Sequence, residues 1–371
     1  MKICVVLPSL GGGGAERLHI NLIENWLKND HIVELIVLTG GHEASSINEL
    51  VPKECKTIFL QSTRIRNSIF SLVRHLRINN YDVILAAMWP LTILVILASK
   101  LSFSRAKIFV SEHTVLSISR SSELKVSERF IRITSAIFYR LTNGIIAVSK
   151  GVQEDLSKLT GLNKTKIKVI YNPAALQIAR PSEQEIIELR NSLWNKNSRI
   201  RILGVGTLKV QKGFDVLIDA INYLPNDLRE ECHLIILGEG PERNKLEKKI
   251  NTLDLSSNIT LSGFQIDPYP WFFSADIFVL SSRWEGFGNV IVEAMEAGLR
   301  IVSTDCKSGP AEILNNGKFG ELVKINDPAA LSNSIIKSLN TQHNPSLLRD
   351  RAMDFSVEKI SKEYLNFFKD S

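Results

Sequence analysis

The sequence predicts an α/β protein built of two Rossmann-like, doubly wound domains. Three observations carry that prediction. Short β-branched apolar runs alternate with longer segments whose apolar residues recur every three or four positions, the pattern of a parallel sheet covered by helices. The alternation occurs twice, on either side of a polar stretch, and glycine-rich turns join strand to helix in both series. The 371 residues suit two domains, each able to bury a full core.

In the first series the strand-like runs are 3–7, 33–38, 83–87, 107–110, 145–148 and 167–170. The stretch 83–98 is nearly all apolar, yet it is shorter than the ~20 residues that span a bilayer and contains Pro90 and Thr92. A buried strand over 82–87 followed by a core helix beginning near Pro90 is the expected arrangement. Tyr171-Asn172-Pro173 breaks the chain, and the polar, helical stretch 174–197 is the expected linker. The second series comprises 201–206, 234–237, 258–261, 277–280, 301–304 and 320–323, and an apolar-periodic segment, 357–368, ends the pattern. Two domains of similar size, 1–174 and 175–354, are expected to face a cleft.

Composition narrows the function. Hydrophobic content of 44% with 23% charged residues fits a soluble globular chain rather than a disordered one. The four cysteines lie far apart, without C-x-x-C or zinc-type histidine spacing, so free thiols in a reducing cytosol are expected. Residues 1–10 run straight into glycines, Glu16 and Arg17, which is not a secretory signal. Net charge is +6, unevenly spread: 23 basic against 13 acidic residues over 1–180 (+10), and 22 against 26 over 181–371 (−4). A basic first half points to a membrane, a phosphorylated acceptor or nucleic acid. Its pieces at 64–77 and 125–141 interleave arginines with apolar residues, a pattern that a helix with a basic solvent face explains equally well.

The most informative segment is 281–295, S-S-R-W-E-G-F-G-N-V-I-V-E-A-M. It leaves a buried strand and opens a helix that Gly298 should cap. Glu285 falls in the loop, and Glu293 about five residues into the helix, roughly 7–8 Å further along its axis. The intervening glycines let a ligand approach the backbone N–H groups at a helix N-terminus, an anion site. Ionised carboxylates only accept hydrogen bonds, so two of them beside an anion site suit a ligand with both hydroxyls and phosphate. A nucleotide sugar has both.

The Glu-x7-Glu spacing in E-G-F-G-N-V-I-V-E-A-M resembles the donor-site motif of retaining glycosyltransferases of family 4 (glycosyl transferases group 1). That resemblance implies the GT-B fold, with residues 355–371 forming a helix that packs back on the first domain. It covers nearly the whole chain, most sharply from Gly204 to Leu314. By it, Glu285 (with Phe287, Gly288 and Asn289) would bind the donor sugar and Glu293 the ribose. G-V-G-T-L-K-V-Q-K-G-F at 204–214 is similar to the family's diphosphate turn, with Gly206 and Lys212 at the diphosphate. Where many members carry an arginine this chain has Thr207, and Lys209 is the candidate replacement. The turn S-L-G-G-G-G-A-E-R at 9–17 is not a dinucleotide fingerprint, because no acid ends the second strand. It resembles the family's G-G-A-E-R turn, which places Gly13 and Gly14 near the donor phosphates and Gly12, Glu16 and Arg17 on the acceptor side. S-E-H-T at 111–114 is similar to the segment whose histidine, here His113, reaches the donor sugar; the role of Glu112 is open. Gly240, Phe264 and Gln265 fall in loops where the family's nucleotide rests. T-D-C-K-S-G-P-A-E-I-L at 304–314 resembles members that build bacterial surface glycans, many with UDP-hexose or UDP-N-acetylhexosamine donors.

The expected function is retaining transfer of a hexose or N-acetylhexosamine from a UDP-sugar to a lipid-linked saccharide, carried on undecaprenyl diphosphate. Glu285, His113 and Lys212 are the expected catalytic group. The enzyme would work peripherally on the inner, anionic face of the cytoplasmic membrane, with no nucleic acid partner. No Asp-x-Asp occurs, so no metal and no cofactor are expected. A sugar-nucleotide epimerase of the same fold and a non-catalytic nucleotide- or polyanion-binding protein are the alternatives.

Overall fold

A computed structural model describes residues 1–11, 13–39, 48–60, 65–119, 126–195 and 198–371. The chain forms two compact units, Met1–Pro173 with Val357–Ser371, and Ala174–Ser356.

Among its described residues the first unit holds seven strands: β1 (Lys2–Leu7), β2 (Ile32–Val37), β3 (Lys56–Phe59), β4 (Val83–Ala87), β5 (Lys107–Glu112), β6 (Gly144–Ala147) and β7 (Ile167–Val169). All pair in parallel, in the order β3-β2-β1-β4-β5-β6-β7. Helices cover both faces, so the central strands are apolar at nearly every position rather than alternating. The edge strand β3 escapes the sequence reading, since K-T-I-F is short and only half-buried. The apolar stretch after Asp82 divides into β4 and the helix Leu91–Leu101, as its length requires. Among the described residues no helix is long and apolar enough to cross a membrane.

The terminal helix Val357–Asp370 belongs to this unit. Ile360, Tyr364 and Phe368 are buried in the same cluster as Trp26 and Phe109. Ring centroids lie 6.2 Å apart for Trp26–Tyr364 and 4.6 Å apart for Phe109–Phe368, edge-on or tilted as aromatic quadrupoles prefer.

The second unit holds β8 (Ile200–Val205), β9 (Cys232–Leu237), β10 (Ile259–Gly263), β11 (Ile277–Leu280), β12 (Arg300–Thr304) and β13 (Glu321–Val323). They are parallel in the order β10-β9-β8-β11-β12-β13. The stretch expected as a helical linker is helical over only half of its described residues. Residues 174–181 have no helix, and a helix runs only over Glu183–Leu193, started by a Ser182/Glu185 capping box. Strand order reverses between β1 and β4 in the first unit and between β8 and β11 in the second. Open parallel sheets bind ligands at the carboxyl ends of the strands at such a reversal.

Candidate active site

At the reversal in the second sheet, two loops are bonded into one. The turn after β8 ends in the short helical turn Val210–Lys212, and the loop after β11 carries residues 281–288. The Arg283 backbone N–H donates to the Gln211 carbonyl at 2.7 Å, the Gln211 side-chain amide donates to the Trp284 carbonyl at 3.0 Å, and the Ser281 hydroxyl donates to the Lys212 carbonyl at 2.8 Å. This closeness explains Gly213. Its φ is +61°, and a Cβ there would stand 2.2 Å from the Ser281 carbonyl oxygen. Gly309 fixes the other side of the loop in the same way, with φ +95° and a Cβ position 1.8 Å from the Phe287 carbonyl oxygen.

The result is a pair of opposite charges. Lys212 Nζ lies 2.6 Å from Glu285 Oε1, and the Ser282 hydroxyl donates to the same oxygen at 2.6 Å. Both side chains are largely enclosed, Lys212 being 17% and Glu285 7% exposed. The lysine stem lies over Gly206, where a Cβ would come within 3.1 Å of Lys212 Cε. Behind the pair sits the buried Cys306 thiol, pushed up first by burial and then by the Glu285 charge, with Lys212 opposing.

Two helices begin here, Phe214–Asn222 and Asn289–Ala297, after Gly213 and Gly288; neither has a side-chain cap. Their first N–H groups are oriented to meet an anion. Glu293 is the fifth residue of the second helix and is half-buried. Gly298 in the left-handed conformation ends that helix, as the sequence indicates. Tyr269 stands near Glu293: burial, then the charges of Glu293 and Glu296, raise its phenol. Glu296 itself is occupied structurally, accepting from the Leu176 and Ile178 backbone N–H groups and the Tyr269 hydroxyl at 3.0–3.1 Å.

Other expected donor-side residues divide. Gly240 sits in the loop after β9, so close to the Leu208 carbonyl that a Cβ would lie 2.5 Å from its oxygen. Lys209 and Phe264 are exposed, and the Gln265 amide donates to the Ser262 carbonyl. The Phe287 ring is 2% exposed and packs edge-on against Phe355 at 5.4 Å, which leaves its backbone on the loop. Asn289 is half-buried at the helix start.

The remaining residues lie on the first unit. His113 follows β5, its Nε2 3.0 Å from the Ser111 hydroxyl. Its ring meets that of His19 edge-on at 5.1 Å. Burial, and then His19, hold the His113 imidazole well below its ordinary pKa. His19 is fully buried, bonds the Ala15 carbonyl through Nδ1 at 2.7 Å, and is lowered to about 4 by burial. Both rings are therefore neutral at physiological pH. Glu112 ends β5 and turns inward, accepting hydrogen bonds from the Tyr139 and Thr92 hydroxyls and the Trp89 N–H; burial raises it to about 7. Its role is in the core. Gly13 caps the helix Gly14–Lys28, and the half-buried Arg17 lies in its first turns. The Glu16 carboxylate folds back so that a Cβ on Gly13 would come within 2.4 Å of it. Burial raises that carboxyl. Gly12 lies outside the described residues. Among the described residues no cluster of three or more His, Cys, Asp or Glu side chains is arranged to hold a metal ion.

The basic segment at 125–141 forms the helix Glu128–Phe138, which buries only Ile131 and Ser135. Phe130, Ile133 and Ile137 are 55%, 46% and 56% exposed, beside exposed Arg129 and Arg132. In the helix Ile69–Ile78, Phe70 and Ile78 are likewise exposed. Lys125 and Arg64, at the ends of these segments, lie outside the described residues.

Two doubly wound parallel units are the architecture of the GT-B fold. Similarity to known proteins agrees. The family described as "Glycosyltransferase Family 4" matches residues 12–177, and "Glycosyl transferases group 1" matches 185–354. The chain belongs to these glycosyltransferases. It is 27% identical over 390 residues, 99% of both chains, to a Campylobacter jejuni protein. That protein is named N-acetylgalactosamine-N,N'-diacetylbacillosaminyl-diphospho-undecaprenol 4-alpha-N-acetylgalactosaminyltransferase. A Rhizobium meliloti lipopolysaccharide core biosynthesis glycosyltransferase, LpsE, is 29% identical over 62% of this chain and 64% of its own. Among solved structures, Anabaena HepE in complex with UDP and glucose superimposes with a TM-score of 0.85 over all of both chains at 22% identity, a likeness of fold.

Proposed function

We propose that this protein is a retaining glycosyltransferase that moves a sugar from a UDP-sugar to a saccharide carried on a lipid diphosphate. The observation that carries the reading is the enclosed Lys212–Glu285 pair between two uncapped helix N-termini, with Glu293 on the second of those helices. Glu293 accepts the ribose hydroxyls. Glu285 keeps one oxygen on Ser282 and presents the other to sugar hydroxyls. Lys212 moves from Glu285 to the diphosphate as the glycosidic bond breaks, so that positive charge and backbone N–H groups meet the negative charge that develops on the leaving group. On the first unit, His113 is neutral and offers a hydrogen bond rather than a charge. On the same unit, the Gly13–Gly14 turn leaves room for a phosphate group, and Glu16 and Arg17 are the acceptor-side candidates.

The name of the Campylobacter relative supports an acceptor carried on diphospho-undecaprenol, and that of the Rhizobium relative a role in bacterial surface-glycan assembly. The exposed apolar stripe Phe130, Ile133, Ile137 with its arginines supports peripheral attachment to an anionic membrane face, where a lipid-linked acceptor resides. Diphosphate charge is met by protein groups, and the reaction requires no metal.

A panel of nucleotide sugars including UDP-glucose and UDP-N-acetylgalactosamine, scored first by thermal shift and donor hydrolysis and then with undecaprenyl-diphosphate-linked acceptors, tests the proposal. Transfer with the donor's anomeric configuration kept and activity unaffected by chelator are expected. Conversion of the donor to a free epimer without acceptor, or binding without turnover, would overturn it.

A further inference from the structure

We propose that Arg283 is a positioning residue of the donor site, clamping the 210–213 turn so that Lys212 stands where the diphosphate is to be met. The inference rests on the donor role of Lys212 proposed above and extends it to a residue that acts through the lysine.

All three guanidinium nitrogens of Arg283 are committed. Nη1 donates to the Val210 carbonyl at 2.7 Å and to Asp215 Oδ1 at 2.9 Å, Nη2 donates to Asp215 Oδ2 at 2.7 Å, and Nε donates to Asn326 Oδ1 at 2.8 Å. The fork therefore grips the turn on both sides of Lys212, at Val210 before it and at Asp215 in the first turn of the following helix. The Arg283 backbone N–H adds a bond to Gln211. Two residues further along the same loop stands Glu285, the ammonium's partner. One short stretch thus carries the carboxylate and also fixes the turn that carries the cation.

The pairing is strong enough to do this. Burial alone would raise Asp215, yet the hydrogen bonds and charge of Arg283 hold it below the usual carboxylate range. A lysine at 283 would keep the charge but not the planar fork, so it would lose the simultaneous hold on Val210, Asp215 and Asn326. Engagement with Asp215 also separates Arg283 from a direct phosphate role, because its fork is already filled by a carboxylate.

The test compares Arg283→Lys with Lys212→Ala, and uses Asp215→Asn as a second variant should the first fail to fold. Amine-reactive footprinting of the ligand-free protein, read by mass spectrometry, should show Lys212 reacting slowly in the wild type and at least about fivefold faster in Arg283→Lys, with exposed Lys248 unchanged. UDP affinity should fall roughly tenfold, while affinity for uridine, which lacks the diphosphate, stays within about twofold. The double variant Arg283→Lys/Lys212→Ala should bind UDP no worse than Lys212→Ala alone. Unchanged Lys212 reactivity in a folded variant, an equal fall in uridine affinity, or additive losses would overturn the proposal. If Lys212→Ala binds UDP like the wild type while the footprint still responds to Arg283, the donor role of Lys212 fails and the clamp stands.

Discussion

Replacing Lys212 with alanine should destabilise the second unit and remove donor affinity, and the two losses can be separated. The ammonium is 2.6 Å from a carboxylate that is only 7% exposed, so the truncation strands a charge in an enclosed site. Breaking a buried pair from one side costs about 3–5 kcal/mol. Here Ser282 continues to donate to the same oxygen, which brings the expectation to about 2–3 kcal/mol, or roughly 30- to 150-fold in the unfolding equilibrium. The double variant Lys212→Ala/Glu285→Gln replaces the stranded charge with a neutral amide that still accepts from Ser282. It should regain most of the lost stability and none of the UDP affinity. Urea unfolding followed by tryptophan fluorescence suits the measurement, since Trp194, Trp271 and Trp284 all lie in the second unit. If Lys212→Ala unfolds at the wild-type urea midpoint, the pair does not hold the site together. If the double variant binds UDP normally, Lys212 is a structural partner of Glu285 and no more.

Glu293→Ala should lower donor specificity by roughly ten- to a hundredfold, as expected for losing hydrogen bonds to a charged group worth roughly 1.5–3 kcal/mol; unchanged donor kinetics in a folded variant would remove Glu293 from the site. Glu112 keeps its proton to about pH 7 in the fold, against an ordinary 4.5, so its stabilising contribution is complete below about 4.5 and is lost as pH rises through about 7. The loss should total about 3 kcal/mol, and Glu112→Gln should flatten the first unit's urea stability between pH 5 and 8; an unaltered slope would refute this. Reversing Arg129, Arg132 and Arg140 to Glu should release the protein from anionic vesicles at low salt, each charge contributing about 1 kcal/mol near such a surface. Wild-type protein that ignores those vesicles would leave the arginines as solvated helix faces.

Much of the fold was legible because buried parallel strands are apolar on both faces and stand out as continuous runs. The edge strand Lys56–Phe59 was not, since a half-buried edge needs no such run. Glu285, Glu293 and Lys212 were legible because glycine-rich strand-to-helix turns mark where a backbone must stay open. What turned on the direction of a side chain was not. The Phe287 ring faces Phe355, Glu112 turns into the core, and Glu296, three residues beyond Glu293, spends its carboxylate on the 176–178 backbone. Arg283 and Asp215 were in view as residue types, an arginine two before the loop glutamate and an acid two after Gly213. Their pairing depends on two loops from non-adjacent parts of the chain, β8 and β11, meeting at the sheet's reversal. Sequence periodicity carries no trace of that meeting.

The terminal helix gives the two halves unequal positions during synthesis. The second unit is one continuous stretch, Ala174–Ser356, whose strands and helices are all translated before Val357. The first unit begins earlier and is completed later, because Trp26 and Phe109 receive Tyr364 and Phe368 only from residues translated after the whole of the second unit. A nascent chain truncated before Val357 would carry a finished second unit attached to a first unit with an open aromatic core. Such a chain exposes apolar surface in its N-terminal half although every residue of that half's sheet is present, so a late frameshift would injure the part of the protein encoded first.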